Sequence, residues 1–490
     1  MPQIHINHLT FAYEGSQETL FEDLNLHLNC RERYGLIGRN GRGKSTLLKL
    51  MAGILPTTAI TKDCETRYFP DEVQEDQAET IEVLRRLYPY SEDYEFMIEA
   101  QELALAMEKL YQPFAFLSEG EKMKALLAGA FSHDHDFLLI DEPTNHLDAQ
   151  GREVIGRYLQ KKTGFILVSH DRHLLDVSVD HIIALNKASI TLTKGNYSSW
   201  QDHKVKELAD ELARHKQLEK EIKRLKKASE KTKNWADAVE RSKNGTRNSG
   251  LRVDRGFIGH KSAKMMQKSK NTQARVTKSI KEKQHLLKDL ESIETLKLAP
   301  LDYGNRPLVE GAHLSLGYGE PLFRQLDFTI KSGDRCVIEG ANGSGKSTII
   351  KTIMGEEHIL AGSLKVAAGI TIAYVPQNTV LTGLLKDYPQ SHRLDPSLFF
   401  AILRKMGFPR EAFEKACDHL SAGMKKKVLL AHAFSQSAHL YIFDEPLNFI
   451  DLDSRMQIEK LILTYAPTML FVEHDVTFCE HVATKKIVIS

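Results

Sequence analysis

The hydrophobic positions of the chain alternate between short continuous runs and longer helical patterns. The runs "FLLI" and "FILVS" in the first half, and "LYIF" and "MLFVE" in the second, have the composition of buried strands. Strands that are buried on both faces give such continuous apolar runs, bounded by polar segments. Buried strands that alternate with helices predict an α/β fold in which helices cover a parallel sheet.

The two halves of the chain repeat each other in the same order. The matching segments are Leu36–Gly53 with Ile338–Gly355, Phe116–Leu127 with His419–Leu430, Phe137–Asp148 with Leu440–Asp451, and Phe165–Asp171 with Met469–Asp475. An internal repeat of this kind predicts two domains of one fold. We place these domains at residues 1–200 and 301–490, with residues 201–300 as a linker between them.

The predicted linker has the pattern of two long helices. The sequence has no proline between Pro143 and Pro300, and helical patterns cover about 201–242 and 262–296. The turn between them, about 243–261, contains several glycines. Helices of about 40 residues extend roughly 60 Å, so the linker is predicted to be a long hairpin.

Length and composition set the class of protein. A chain of 490 residues is long enough for two or three domains. Its five cysteines are scattered without a metal-binding pattern, which indicates reduced thiols in a cytoplasmic protein. The N terminus lacks a signal pattern, and no apolar run is long enough to span a bilayer. We therefore expect a cytoplasmic protein without a membrane domain.

Charge is concentrated in the linker. Residues 201–300 hold 26 Lys and Arg against 14 Asp and Glu, whereas the whole chain has a formal net charge of +1. This asymmetry predicts a polyanionic partner, and the alternative is a solvated hairpin with charged faces. The residues expected to contact the partner lie around the turn: Arg247, Arg252, Arg255, Phe257, Lys261 and Lys264.

The pattern GxxxxGK[ST] occurs twice, and each copy follows an apolar strand and precedes a helical pattern. That is the context of a phosphate-binding Walker A loop. Its glycines let backbone N–H groups close around phosphates, its lysine holds the β/γ-phosphates, and its hydroxyl binds Mg²⁺. The residues are Gly38, Gly41, Gly43, Lys44 and Ser45 in the first copy, and Gly340, Gly343, Gly345, Lys346 and Ser347 in the second.

An acidic pair ends one strand in each half, Asp141 with Glu142 and Asp444 with Glu445. The aspartates would support the Mg²⁺ shell, and the glutamates would polarise the water that attacks the γ-phosphate. Such a pair is otherwise a helix N-cap. Its recurrence at matching places in both halves favours the catalytic interpretation.

One histidine follows another strand in each half, at His170 and His474. A single histidine is usually structural or on the surface. A repeated one at the carboxyl edge of a parallel sheet favours a contact with the γ-phosphate. We therefore group His170 and His474 with the catalytic glutamates.

Together these motifs resemble those of ATP-binding-cassette ATPases. The resemblance includes the "LSEGE" and "LSAGM" signatures and the "NHLD" and "NFID" D-loops, and it covers roughly residues 1–200 and 301–490. It implies that ATP binds between two cassettes, with each Walker A loop facing the signature of the other half and an aromatic ring stacked on adenine. The further ATP-binding residues that it implies are Tyr13, Asn40, Thr46, Ser118 and Gly120, and Tyr318, Asn342, Thr348, Ser421 and Gly423. For the two tyrosines, an ordinary strand-edge aromatic is the alternative.

The sequence departs from the family pattern in ways that predict two non-equivalent ATP sites. Gln377 in "YVPQN" fits the Q-loop, whose glutamine also binds Mg²⁺ in the family, whereas "YFPDEVQ" in the first half offers either Asp71 or Gln74. The second D-loop carries Leu447 and Phe449 where the first has a threonine and a histidine.

Tandem cassettes joined by a charged helical linker, with "KGNYSSW" before the linker, resemble the ABC-F proteins. That resemblance implies a monomer whose cassettes close on ATP while it occupies the exit site of the bacterial 70S ribosome. The linker would then contact the P-site tRNA and the 23S rRNA. Phe257 would stack on a base, or with Met265 and Met266 pack at the hairpin tip.

Within that family, the long linker and the short first cassette resemble the Lsa-type branch. This branch protects ribosomes from lincosamides, pleuromutilins and streptogramin A by displacing P-site tRNA and drug, and ATP hydrolysis then releases the protein. A housekeeping ABC-F translation factor is the alternative. A transporter ATPase subunit and a DNA-handling ATPase are rival functions of other classes.

Overall fold

The computed structural model describes most of the two predicted cassettes and little of the linker. The described residues are 2–14, 19–71, 73, 77–133, 136–144, 147–186, 189–207, 209, 210, 213, 217, 220, 223, 224, 227, 267, 298–318, 320–377 and 380–489. The predicted linker tip, from Arg247 to Lys264, lies outside them. Residues 1–200 and 294–490 form one compact unit, and residues 201–293 form a second, in which every described position is helical.

The first cassette contains a mixed six-stranded sheet with the order β5-β6-β7-β3-β8-β9, in which β9 alone is antiparallel to its neighbour. A separate antiparallel sheet has the order β2-β1-β4. The strands are β1 (Gln3–Phe11), β2 (Phe21–Asn29), β3 (Arg33–Ile37), β4 (Ile60–Lys62), β5 (Glu65–Phe69), β6 (Asp136–Asp141), β7 (Phe165–Val168), β8 (His181–Leu185) and β9 (Ile190–Lys194). The α-helices are α1 (Lys44–Ala52), α2 (Thr80–Leu87), α3 (Asp93–Glu102), α4 (Glu119–Phe131), α5 (Ala149–Lys161) and α6 (Arg172–Ser178), with short 3-10 helices at Met107–Tyr111 and Phe114–Phe116.

The second cassette repeats this plan with a parallel sheet of order β14-β15-β16-β12-β17 and an antiparallel sheet of order β11-β10-β13. Its strands are β10 (Pro307–Tyr318), β11 (Glu320–Lys331), β12 (Arg335–Glu339), β13 (Ala361–Val366), β14 (Ile372–Val375), β15 (Leu440–Asp444), β16 (Met469–Val472) and β17 (Lys485–Val488). Its helices are α7 (Lys346–Ile353), α8 (Tyr388–Ser391), α9 (Pro396–Lys405), α10 (Ala422–Ser435), α11 (Leu452–Tyr465) and α12 (Val476–Val482), with 3-10 helices at Arg410–Glu414 and Cys417–His419. The predicted α/β class with two repeated cassettes is confirmed.

The continuous apolar runs are explained by sheets that are buried on both faces. In β6, Leu138 and Ile140 pack into one core cluster, and Phe137 and Leu139 pack into another. Successive side chains of a strand point to opposite faces, so four consecutive apolar residues serve two cores. The second cassette divides β15 between two clusters in the same way.

The order of the strands gathers the predicted motifs at one edge of each sheet. In the first cassette β3 lies beside β7, and β7 lies beside β6. The Walker A loop follows β3, the acidic pair ends β6, and His170 follows β7. Because these strands are parallel, their carboxyl ends meet, which is where ligands bind in open α/β sheets.

The prediction of five reduced thiols is wrong for one pair, because Cys30 and Cys64 are joined by a disulfide. Cys30 follows β2 and Cys64 precedes β5, so they are brought together by the tertiary fold and not by a sequence pattern. Cys336, Cys417 and Cys479 are free and buried.

We expect the substitution Gly129→Ala to lower the thermal unfolding midpoint. An added Cβ on this residue of α4 would clash with the Tyr88 ring, because it would come much closer to the ring carbons than van der Waals contact allows. Overpacking of this kind costs about 1–3 kcal/mol, more than the roughly 1 kcal/mol that alanine gains over glycine in a helix. Gly156→Ala in α5 is the matched control, since its Cβ would meet Leu174 at 3.5 Å, an ordinary contact. Circular dichroism melts should show a lower midpoint for the first variant and an equal or higher one for the second. Equal effects would contradict this packing argument.

Candidate active sites between the two cassettes

The Walker A loops have the backbone that their glycines predict. Gly43 and Gly345 form the N-caps of α1 and α7 with φ of 89° and 100°. Gly41 and Gly343 each have φ of 80°. These left-handed conformations suit glycine and strain other residues, and they place the loop at the positive end of a helix. Both loops can therefore present backbone N–H groups to phosphate oxygens.

The lysine of each loop is buried against its own backbone. Lys44 Nζ donates to the carbonyl of Gly38 at 2.8 Å, and Lys346 Nζ donates to that of Gly340 at 2.9 Å. Burial lowers the pKa of both amino groups, and neighbouring carboxylates oppose that shift. Each lysine is thus held by weak neutral acceptors that a phosphate could replace.

The second cassette has a pair of oxygen ligands that fits a divalent cation. Asp444 is buried, its Oδ1 has no hydrogen-bond partner, and its carboxylate interacts with the hydroxyl of Ser347. Hydroxyl and carboxylate oxygens beside a nucleotide are ligands that Mg²⁺ accepts. In the first cassette Asp141 accepts a hydrogen bond from Tyr68 at 3.0 Å, and Ser45 is exposed.

Glu142 lies next to the first Walker A loop, and its side chain is 21% exposed. Burial raises its pKa to about 7, against the opposing charge of Lys44. His170 Nε2 lies 3.2 Å from Glu142 Oε1, but this oxygen is buried without a hydrogen-bond partner. Burial also lowers the pKa of His170 well below its ordinary value, so its imidazole is neutral at neutral pH.

Glu445 occupies the equivalent place in the second cassette but has polar partners. Asn448 Nδ2 donates to its Oε2 at 2.5 Å, and His474 Nε2 lies 3.6 Å from its Oε1. Burial by itself would raise the pKa of Glu445, but the interactions with His474 and Gln377 outweigh it and lower this pKa to about 2. The two glutamates therefore have different electrostatic environments.

The second site is a cavity of about 450 Å³ with walls from both cassettes. The second cassette contributes Leu322, Asn342, Gly343, Gly345, Lys346, Ser347, Thr348, Gln377, Glu445, Asn448 and His474, and the first contributes Leu147 and Arg152. The signature residues Ser118 and Gly120 lie outside this wall; Ser118 caps α4, and an added Cβ on Gly120 would touch Leu147.

The first site is closed by contacts from the second cassette. Asn40 Nδ2 donates to the carbonyl of Phe449 at 2.6 Å, and Arg39 Nε pairs with Asp453 at 3.3 Å. Gly423 lies against the same loop, because an added Cβ would come 2.6 Å from Asn40 Nδ2. The neighbouring signature residue Ser421 caps α10. The first Walker A loop thus lies beside the second signature, as the motif resemblance implied.

Tyr13 remains a candidate for adenine stacking. Its side chain is 48% exposed, its hydroxyl lies 2.7 Å from Thr46 Oγ1, and its ring packs edge-on against Phe11. This places an accessible aromatic face beside the first helix after the Walker A loop. The side chain of Tyr318 lies outside the described residues.

Asp71 and Gln74 are the two candidates for the first Q-loop residue. Gln74 lies outside the described residues. Asp71 pairs with Arg67 at 3.2 Å and accepts a hydrogen bond from Tyr88 at 2.7 Å. This carboxylate is therefore engaged with groups of its own cassette.

Two buried arginines belong to these sites although the motifs did not reveal them. Arg152 Nη1 donates to Asp171 at 3.3 Å, and Arg455 Nη1 donates to Asp475 at 2.9 Å. Each aspartate directly follows a predicted catalytic histidine. The available signal was the repeat itself, because the two arginines occupy matching positions in the two halves.

Comparison with known proteins agrees with this geometry. A family model described as "ABC transporter" matches residues 21–145 and again residues 323–448. The ribosome protection protein VmlR of Bacillus subtilis is 30% identical over 505 residues, covering 98% of this chain and 85% of VmlR. The erythromycin resistance ATP-binding protein MsrA of Staphylococcus epidermidis is 32% identical over 477 residues, covering 93% and 91%. The chain belongs to the ABC-F family of ATP-binding-cassette ATPases.

As an ABC-F protein it is an ATPase, and the family that its motifs predicted is confirmed. Solved structures with the same fold include the archaeal ribosome recycling factor aABCE1 in complex with the ribosomal stalk protein aP1. The match has a TM-score of 0.62 at 20% identity and covers 98% of this ABC-F chain and 87% of that one. This similarity supports the tandem-cassette fold.

We expect the two sites of this ABC-F protein to differ in their pH dependence. The substitution Glu445→Gln leaves Glu142 as the candidate general base. A base acts when unprotonated, and the pKa of Glu142 is raised to about 7, so ATPase activity of this variant should fall as pH decreases through neutrality. Glu142→Gln leaves Glu445, whose pKa is about 2, so that activity should lack this fall. Steady-state phosphate release between about pH 5.5 and 8.5 measures both profiles. Coincident midpoints would contradict the assignment.

Proposed function

We propose that this protein is an ATP-dependent ribosome-protection factor that shields the peptidyl-transferase centre from antibiotics. The observation that supports the proposal is a pair of candidate ATP sites with residues from both cassettes, in a chain that is similar to VmlR over 98% of its length. The printed names of VmlR and MsrA refer to ribosome protection and to erythromycin resistance.

In the proposed mechanism, the two cassettes of one monomer would close around ATP, which would be bound together with Mg²⁺. Mg²⁺ would be held by Ser45 with Asp141 in the first site, and by Ser347 with Asp444 and Gln377 in the second. Glu142 and Glu445 would activate water, and His170 and His474 would contact the γ-phosphate. The unpartnered Oδ1 of Asp444 and the residues around Glu445 support this arrangement.

The ribosomal part of the proposal rests on charge and on the relatives. The closed protein would enter the exit site of the bacterial 70S ribosome in the cytoplasm, and its linker, with a net charge of +12 over residues 201–300, would contact P-site tRNA and 23S rRNA. The tip around Arg247, Arg252, Arg255, Phe257, Lys261 and Lys264 would displace the tRNA and the drug. None of the helices in the described part of the chain has the length and apolar character that crossing a membrane would require.

We expect Glu142→Gln combined with Glu445→Gln to trap the protein on ribosomes in the presence of ATP. Loss of both candidate bases should slow hydrolysis by about a hundredfold or more while leaving the phosphate-binding loops intact. Sedimentation of purified 70S ribosomes with each protein measures the trapping. The control is the same variant without nucleotide, which should remain unbound. A double variant that stays in the supernatant in the presence of ATP would contradict the ribosomal proposal.

We also expect the wild-type protein to raise the tolerance of a sensitive bacterium to a lincosamide, a pleuromutilin and a streptogramin A. The double variant should not, because protection requires release and reuse. A macrolide and a phenicol complete the panel, and immunoblots confirm equal expression. Unchanged tolerance to every drug, with ribosome trapping intact, would indicate a housekeeping ABC-F translation factor instead.

A further inference from the structure

Arg152 and Arg455 hold matching positions one turn into the helices that follow the D-loops. Asp148 is the N-cap of α5 and Asp451 is the N-cap of α11, and each arginine lies four residues later. Arg152 is 8% exposed and Arg455 is 4% exposed. A buried guanidinium is costly unless its donors are satisfied, so its partners should explain its place.

Each arginine is bonded to two loops of its own cassette. Arg152 Nε donates to the D-loop carbonyl of Leu147 at 3.1 Å, and its Nη1 donates to Asp171 at 3.3 Å. Arg455 makes the matching pair of bonds, to Ile450 at 2.9 Å and Asp475 at 2.9 Å, and a further one to Leu447 at 2.9 Å. The rigid fork of a guanidinium suits this bridging between the D-loop and the loop that contains the catalytic histidine.

Each arginine nevertheless faces the site of the opposite cassette. Arg152 forms part of the cavity wall that also contains Lys346, Glu445 and His474. Arg455 holds the carbonyls of Leu447 and Ile450, in the D-loop whose Phe449 carbonyl accepts a hydrogen bond from Asn40 of the first Walker A loop. The relation is reciprocal, since Arg152 on α5 of the first cassette lies at the second site and Arg455 on α11 of the second cassette lies at the first.

We propose that Arg152 and Arg455 are reciprocal positioning residues, Arg152 for the second site around Glu445 and Arg455 for the first site around Glu142. Each arginine would hold the D-loop in place against the site of the opposite cassette. At the same time it would stay bonded to the aspartate that follows the catalytic histidine of its own cassette. Hydrolysis in one site would thereby be sensitive to the arrangement of the other. The inference rests on the proposed role of the two glutamates as general bases.

The test measures each site alone. The background Glu142→Gln leaves the second site active, and the background Glu445→Gln leaves the first. We expect Arg152→Gln to lower kcat by about tenfold more in the Glu142→Gln background than in the Glu445→Gln background. Arg455→Gln should show the reverse. The physical reason is that a misplacement of about 1 Å can cost a hundredfold in rate. An arginine that merely supports its own cassette would give the opposite pattern or equal losses, and either result would overturn the inference.

A second readout separates positioning from general damage. In the Glu445→Gln background, Arg455→Gln should lower kcat and leave the KM for ATP nearly unchanged, because the arginine bonds to the D-loop and to Asp475 and not to the Walker A loop. Arg455→Lys keeps the charge but loses the planar fork, so it should recover only part of the kcat that Arg455→Gln loses. A raised KM with an unchanged kcat in Arg455→Gln would contradict the inference.

Two controls keep the outcomes distinct. Arg157→Gln removes an arginine of α5 that is 73% exposed and paired with Glu153, and it should show no preference between the backgrounds. If Gln variants fail to fold, by circular dichroism, the Lys variants should still show the crosswise loss of kcat.

Persistent hydrolysis in the double Glu142→Gln/Glu445→Gln variant would refute the general-base proposal. An inactive double variant without the crosswise pattern would refute the positioning inference alone.

Discussion

The junction between the cassettes is the constraint on which both ATP sites depend. Asn40 of the first Walker A loop donates to the backbone of Phe449, and Gly423 leaves no room there for a side chain. Phe449 has φ of 62°, in the left-handed region that residues with side chains rarely adopt. Such a conformation costs about 1–3 kcal/mol, which the hydrogen bond and the packing at the junction help to offset. The D-loop is therefore held in a shape that serves the opposite cassette.

The two candidate bases show how one backbone design gives two chemical environments. Glu142 and Glu445 have φ of 52° and 47°, and each backbone N–H bonds to the neighbouring strand, at 2.9 Å and 3.0 Å. The local conformation is thus repeated at the end of β6 and β15. Burial dominates at Glu142, whereas polar partners dominate at Glu445, and these effects shift the pKa in opposite directions.

A buried ion pair adds to this asymmetry. Lys427 Nζ lies 2.6 Å from Asp451, and both side chains are almost wholly enclosed in the second cassette. Their charges contribute to the pKa shifts of Lys44 and His170 in the first site. The matching lysine of the first cassette, Lys124, is half-buried instead. The two sites therefore differ in the charges supplied from across the junction as well as in their own residues.

The sequence by itself determined the repeated α/β cassettes, the Walker A loops and the acidic pair at the end of a strand. These features are local: glycines set the loop backbone, and the period of apolar residues sets the strands. Which residues complete each site was decided by tertiary structure, since Leu147 and Arg152 reach the second site from a different cassette. The pKa of Glu142 and the Cys30–Cys64 disulfide also depend on neighbours distant in the chain. Burial and long-range electrostatics arise when packed surfaces meet, and a linear pattern does not encode which surfaces those are.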